Sequence, residues 1–194
     1  MTDHYQSKLP DIGHLATWSV SSYKYGFNVD CLRDDDPETF WQYVVQYLAK
    51  DINRNDRRYG PQPHYITLQF HKKVAVQKIA ILLKFDQDDS YTPVRLAIRA
   101  GMSLNDLQEV RYVGFEKPNE WLDFDVSMDL SEDGSGARPL HCYAIQIMVA
   151  ANYMNGKDTH IRGLKVLGPQ EPQPGAEDTI PYTSIAFQMH ECIR

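Results

Sequence analysis

Short runs in which apolar and polar residues alternate dominate the chain. In "HYITLQF", Ile66, Leu68 and Phe70 would point to one side of an extended strand and the residues between them to the other. The same period predicts further strands at 18–23, 76–85, 94–101, 107–115, 121–126, 142–150, 162–167 and 183–188. Many short strands separated by turn residues are typical of an all-β sandwich or barrel, not of alternating strand–helix units.

The alternation also predicts which side chains face the core, because a sandwich sheet buries one face and wets the other. The run at 94–101 places Leu96 and Ile98 inward and Arg95 and Arg99 outward. For the run at 142–150, the predicted inward residues are Tyr143, Ile145, Ile147 and Val149, and the outward ones are Ala144, Gln146 and Met148.

One stretch follows the helical period instead. Asp36 followed by Pro37 supplies an N-cap and a first-turn proline. The apolar residues after them are spaced i, i+4, i+7 and i+8, at Phe40, Val44, Tyr47 and Leu48. The sequence therefore predicts a short amphipathic helix over about 38–50, followed by a polar loop. Its apolar stripe is expected to pack on the sandwich, and a partner-binding face is the alternative.

Length and composition favour a single globular domain. The chain has 194 residues, 42% of them hydrophobic, and a formal net charge of -6, which disfavours a nucleic-acid binder. We expect a flexible segment at 1–13, the folded domain at 14–168, and a proline-rich segment at 169–194. No apolar run suits a membrane span or a secretory signal, and the three cysteines form no disulfide framework. A reducing compartment with inert thiols is therefore expected.

No local motif for catalysis or cofactor binding is found. The seven histidines show no zinc spacing, and no nucleophile elbow, P-loop or dinucleotide fingerprint is present. A glycosidase would need two carboxylates facing each other across a cleft, which no motif suggests. The acidic run Asp30–Trp41 could hold calcium, but helix capping and a salt bridge of Arg33 account for it adequately. We predict no enzyme activity, no cofactor and no metal.

Two polar stretches stand at predicted strand ends. They are "DQDDSYTP", residues 86–93, and "ANYMNGKDTHIR", residues 151–162. Turn chemistry alone would explain them, with Asn155 and Gly156 setting a tight turn. The alternative is a polar rim at one end of the sandwich, whose amides and hydroxyls bind an extended peptide or sugar hydroxyls.

Taken together, "WSVSSYKYGFNVDCLRDDDPETFWQ", "DDSYTPVRLAIRAG", "LQEV" and "ANYMNGKDTHIRGLKV" resemble the DOC domain family of anaphase-promoting complex subunits. The similarity runs from about residue 12 to 167 and resumes at the final Ile193-Arg194. It implies a galactose-binding-like jelly-roll β-sandwich. The resemblance further implies a non-catalytic subunit of a very large ubiquitin ligase, acting in cell-cycle protein degradation. Such a subunit captures destruction-box degrons together with a propeller-shaped coactivator.

The resemblance also implies which residues act. The degron-binding residues that match the family's motif are Asp89, Ser90, Tyr91, Thr92, Asn152, Asn155, Asp158 and His160. Ile193 and Arg194 would form a tail that docks on a tetratricopeptide-repeat scaffold subunit. Cullin-like and large scaffold subunits are the other expected partners, with no nucleic acid and no membrane. Residence in nucleus and cytoplasm is expected.

The sequence departs from the family pattern after Gln42. Many members pass directly to the Gln-Pro-His found here at Gln62-Pro63-His64, so residues 43–60 look inserted. The competing hypothesis is a carbohydrate-binding module on the same sandwich. The missing secretory signal, the free cysteines and the terminal Ile-Arg oppose it, although Tyr91 and Tyr153 flank the loops as sugar-stacking residues would.

Overall fold

The computed structural model describes residues 7–42, 64–126 and 138–169. Strands account for most of the regular structure. They are β1 (Ala16–Val20), β2 (Trp41–Gln42), β3 (His64–Val76), β4 (Lys78–Leu82), β5 (Pro93–Gly101), β6 (Gln108–Gly114), β7 (Trp121–Asp125), β8 (Leu140–Asn152), β9 (His160–Ile161) and β10 (Gly163–Leu167). A one-turn helix, α1 (Phe85–Asp88), and four short 3-10 turns complete the described part. No helix in it is long and apolar enough to cross a membrane.

The strands form a sandwich in which every pairing is antiparallel. One sheet has five strands in the order β1-β3-β8-β5-β6, and the other has three in the order β10-β4-β7. The strands β2 and β9 form a separate two-stranded ribbon. The predicted all-β sandwich is confirmed. The alternation located every strand of the two larger sheets, although β3 continues beyond the predicted run at 64–70, and it did not predict β2 or β9.

The core lies between the two sheets. Ile66, Leu68, Leu96 and Ile98 of the large sheet are fully buried, as are Ile79 and Ile81 of the small one. Burying a side chain of this size stabilises the fold by about 1.5–3 kcal/mol before entropy is counted. The core is therefore built by the inward positions that alternation identified.

In β8 the predicted alternation is wrong at two residues. Ala144 is buried and Tyr143 is only half-buried, whereas Ile145 and Ile147 are buried as expected. The cause is an irregularity in the pairing with β3, where the register jumps from Gln69 opposite Ala144 to Val74 opposite Cys142. A bulge of this kind shifts the phase of the faces, and a period-two pattern cannot anticipate it.

The predicted helix over 38–50 is wrong in its first residues. Asp36 accepts a hydrogen bond from the amide of Glu38 at 2.9 Å, but the turn does not continue, and Trp41–Gln42 form β2. Trp41 is fully buried and its indole donates to the carbonyl of Ser22 at 2.9 Å, so tertiary packing overrides the local helical pattern. Residues 43–50 lie outside the described part, as do the predicted strand at 183–188 and nearly all of the 169–194 segment.

The acidic run Asp30–Trp41 is used for turns and ion pairs. Asp34 accepts from the hydroxyl of Thr39 at 2.7 Å, and Asp35 pairs with Lys165 at 2.6 Å. The predicted salt bridge of Arg33 is not among the ion pairs of the described residues. Its guanidinium lies over the Trp18 ring instead, 5.1 Å from the centroid. These carboxylates thus have partners in turns and ion pairs.

Two of the cysteines are described, and both are free thiols. Cys142 is buried on β8, and burial raises the pKa of its thiol to about 11. Burial also raises the pKa of Cys31, with the Asp34 charge adding to the effect. Since the thiolate is the reactive form, a raised pKa disfavours reaction at neutral pH, and the inertness of these thiols stays a prediction. Cys192 lies outside the described residues.

Candidate functional site

Two segments that are distant in sequence meet at one end of the sandwich. The first, here called the 85–92 loop, contains α1 and the 3-10 turn Asp89–Tyr91, and it joins β4 to β5. The second, the 153–159 loop, joins β8 to β9. The amide of Tyr153 donates to the carbonyl of Thr92 at 3.0 Å, which ties the two loops together. The structure therefore brings both predicted polar stretches to one place.

Gly156 allows the loops to approach closely. A Cβ atom at this position would lie 1.9 Å from the carbonyl oxygen of Ser90, so any side chain there would force the loops apart. The turn itself is made one position earlier than predicted, since Met154 and Asn155 both have positive φ, 49° and 56°. Both residues occupy the left-handed region, which is unusual for methionine and presents their side chains to solvent.

Asn152 holds the 153–159 loop from inside. This residue is 9% exposed, and its side-chain amide donates to the carbonyls of Gly156 and Asp158 and to the hydroxyl of Thr159, at 2.8–3.2 Å. Tyr153 fixes the start of the loop, because its hydroxyl donates to the carbonyl of Phe115 at 2.7 Å. The loop is consequently positioned by the scaffold around it.

A buried ion pair lies beneath the site. The carboxylate of Asp88 accepts hydrogen bonds from Nε and Nη2 of Arg162, at 2.7 and 2.8 Å, and from Nδ1 of His160 at 3.0 Å. Burial alone would raise the pKa of Asp88, but the hydrogen bonds from His160 and Arg162 outweigh it and lower that pKa. Nη1 of Arg162 also donates to the carbonyl of Pro37 at 2.9 Å. The pair thus links the 85–92 loop, β9 and the turn before β2.

Four rings stack in a row from the loops toward the turn at Lys24–Phe27. Tyr91 stacks on His160 with centroids 4.6 Å apart, His160 on Phe40 at 4.2 Å, and Phe40 on Phe27 at 4.8 Å. Tyr91 is 39% exposed, while the other three rings are half-buried. The ammonium of Lys24 lies over the far end of the row, 5.5 Å from the Phe27 centroid. The row of rings therefore forms an aromatic border along one side of the polar loops.

The predicted site residues divide by exposure. Asp89, Tyr91 and Asn155 are exposed, and Ser90 and Asp158 are half-buried, so these five can reach a partner. The His160 side chain is only 11% exposed, because its ring lies between those of Tyr91 and Phe40. Thr92 and Asn152 are buried. Three buried atoms here have no hydrogen-bond partner in the described part of the chain: Oγ1 of Thr92, Oδ1 of Asn152 and Nε2 of His160. Unpaired buried polar atoms are costly, and they are enriched where a ligand or solvent binds.

Sequence reasoning missed several residues of this end. The sequence predicts a loop at Asp88 and a helix at Phe40, and it indicates no role for Phe27 or Met154. A weak signal existed for the ion pair, because Arg162 begins the predicted strand 162–167 directly after Ile161, and an arginine buried at such a position needs a partner. The ring row had no such signal, since its members come from four separate segments.

Comparisons with known proteins agree on one family. The model of the family "Anaphase-promoting complex, subunit 10 (APC10)" matches residues 3–192. Among relatives, the Schizosaccharomyces pombe "Anaphase-promoting complex subunit 10" is 39% identical over 178 residues, which is 91% of this chain and 84% of that protein. The human protein of the same name is 36% identical over 184 residues, covering 95% of this chain and 88% of that one.

Solved structures support the fold. A family 32 carbohydrate-binding module of Clostridium perfringens NanJ, solved with galactose, covers 81% of this chain and 97% of its own, with a TM-score of 0.58 and 15% identity. Another module of that family, from C. perfringens GH89 and solved with GalNAc-β-1,3-galactose, gives a TM-score of 0.58 at 8% identity, covering 80% of this chain and 97% of its own. The predicted galactose-binding-like jelly roll is thereby confirmed. By the family match and the shared sequence, the chain belongs to the anaphase-promoting complex subunit 10 family.

Proposed function

We propose that this chain is a non-catalytic subunit of the anaphase-promoting complex, where it captures destruction-box degrons together with the propeller coactivator. The observation that carries the proposal is the meeting of the 85–92 and 153–159 loops in one partly exposed surface, in a chain of this family. Both loops carry the residues that resemble the family's motif. The proposal includes residence in the nucleus and cytoplasm, where the ligase would act.

The chemistry of this surface suits an extended peptide. An extended backbone offers alternating donors and acceptors, and the hydroxyl of Ser90 and the amide of Asn155 can pair with both kinds. Asp89 and Asp158 add acceptors, while the exposed face of Tyr91 offers apolar contact. Thr92 and Asn152 hold the loops in place, so their contribution is positioning.

The proposal also assigns a docking role to Ile193 and Arg194, on a tetratricopeptide-repeat scaffold subunit. Both residues lie outside the described part, and the support is the resemblance of the pair to the family's ending. A branched apolar side chain beside a guanidinium suits a repeat groove that offers a pocket and carboxylates. Cullin-like and large scaffold subunits complete the proposed set of partners.

The test is degron affinity in the assembled ligase. Ser90→Ala with Asn155→Ala removes two hydrogen bonds worth roughly 0.5–1.5 kcal/mol each, so we expect about a five- to hundred-fold weaker affinity for a destruction-box peptide. The matched control is Ser103→Ala with Asn105→Ala, in the exposed loop at the other end of β5. It should leave the affinity unchanged.

An equal affinity of both double variants for the degron would contradict the assignment. Titration with galactose tests the alternative hypothesis, in which the same loops bind a carbohydrate. Galactose binding that the Ser90 and Asn155 changes abolish, without any effect on the degron, would favour a sugar module.

A further inference from the structure

The outward faces of the two sheets differ in whether their charged side chains form ion pairs. On the small sheet, Lys78 pairs with Asp123 at 2.8 Å, and Lys165 pairs with Asp35 and lies over the Trp121 ring. The two lysines on that face therefore have carboxylate partners within the chain. The large sheet carries no ion pair on its outward face within the described residues.

One row of the large sheet is apolar across four strands. Tyr65 lies opposite Met148, Met148 opposite Ala97, and Ala97 opposite Tyr112. These residues alternate with core residues such as Ile66, Leu96 and Ile147, so they project outward. We call this row, formed by Tyr65, Met148, Ala97 and Tyr112, the outer ridge. With strands about 4.8 Å apart, it extends roughly 14 Å.

The outer ridge exposes aromatic surface. Tyr112 is 52% exposed, Tyr65 is 38% exposed and Met148 is half-buried, while Ala97 between them is covered. Tyrosine and methionine are enriched at protein interfaces relative to the remaining surface. The outer ridge therefore offers two exposed tyrosines, with a half-buried methionine and a covered alanine between them.

Two arginines flank the outer ridge on β5, one on each side. Arg95 and Arg99 stand two residues before and after Ala97, and neither forms an ion pair with the described residues. Glu109 lies opposite Arg99 in register without pairing to it. On the other side of Arg99, Gln146 donates to the hydroxyl of Thr67 at 3.4 Å. The ridge thus has a cationic border in a chain whose net charge is -6.

We propose that the outer ridge, with Arg95 and Arg99, docks this chain on a scaffold subunit of the ligase through a patch of apolar and acidic side chains. The inference rests on the proposed membership in the complex but concerns a different surface from the degron site. Carboxylates of the partner would pair with the two guanidinium groups, and its apolar side chains would cover the tyrosines. Docking through a sheet face leaves the loop end free for substrate.

The test measures binding of the full chain to a reconstituted ligase that lacks this subunit. Tyr112→Glu with Met148→Glu places charge on the outer ridge, and Arg95→Glu with Arg99→Glu reverses its border. We expect at least tenfold weaker binding for each variant. The matched control Met102→Glu alters a 50% exposed methionine in the loop after β5 and should bind as wild type does.

The outcomes are distinguishable. If wild type does not bind the ligase, both the membership and the docking surface fail. If wild type binds and both double variants bind within twofold of it, the docking surface alone is wrong. If wild type self-associates and the same variants dissolve the oligomer, the occupant is a second copy, which also overturns the proposal. Arg95 is exposed and Arg99 is half-buried, and reversing their charges tests the same surface if the variant at Tyr112 and Met148 does not fold.

Discussion

The carboxylate of Asp88 and the guanidinium of Arg162 are 4% and 6% exposed, and they join three segments of the candidate site. Desolvation makes such a pair a poor source of net stability, yet removing one partner leaves an uncompensated buried charge. His160 depends on the same carboxylate for its position, and Tyr91 stacks on His160. One residue therefore controls both the ion pair and the ring row.

We expect Asp88→Asn to lower the free energy of unfolding at pH 7 by about 3 kcal/mol, because the charge of Arg162 loses its partner. Urea denaturation measures this change. Asp86→Asn, an exposed change on the same short helix, is the matched control and should have little effect. A loss for Asp88→Asn no larger than that of the control would show that the pair is not coupled to folding.

The same residue gives a pH dependence with a defined sign. The pKa of Asp88 is lower in the folded chain than its usual value of 3.8, so the unfolded chain binds this proton more readily. The stabilisation is complete above the unfolded pKa and is lost as pH falls through the folded one. The difference in stability between wild type and Asp88→Asn should therefore shrink below pH 3.8, when measured by urea denaturation. A difference that is constant with pH would contradict this account.

At the scale of elements, the sequence predicted the strands well because one face of each is buried. It could not predict β2, because this strand depends on tertiary contacts: the burial of Trp41 and the hydrogen bond from its indole to the carbonyl of Ser22. Nor could it predict the bulge that shifts β8, because register depends on the partner strand. The two site loops were identified from their polar composition, but their contact through Gly156 required the fold.

Gly156→Ala tests that contact. The new Cβ would overlap the carbonyl of Ser90, so we expect a loss of stability of about 1–3 kcal/mol and a degron affinity reduced at least tenfold. Thermal unfolding and peptide titration measure the two effects. The matched control is Gly114→Ala on β6, where the nearest atom would lie 3.9 Å away. Unchanged degron affinity in Gly156→Ala would show that the loops act independently.

On the scale of the whole molecule, the two proposed surfaces lie on different parts of the sandwich. The degron site is at the end where β4 joins β5 and β8 joins β9, and the outer ridge lies on the face of the large sheet. The sequence predicted that Met148 points outward. It could not align Met148 with Tyr65 and Tyr112, because that alignment is set by strand pairing. Separate surfaces would let one subunit hold the ligase and the substrate at once.

The most direct test of the central claim is the number of ubiquitins added to a destruction-box substrate in a single binding encounter. The ligase would be reconstituted without this subunit, with wild type, and with the Ser90→Ala, Asn155→Ala variant. We predict longer chains with wild type, and chains as short with the variant as without the subunit, although the variant assembles normally. Chains of wild-type length from the assembled variant would contradict the claim that the loop end captures the degron.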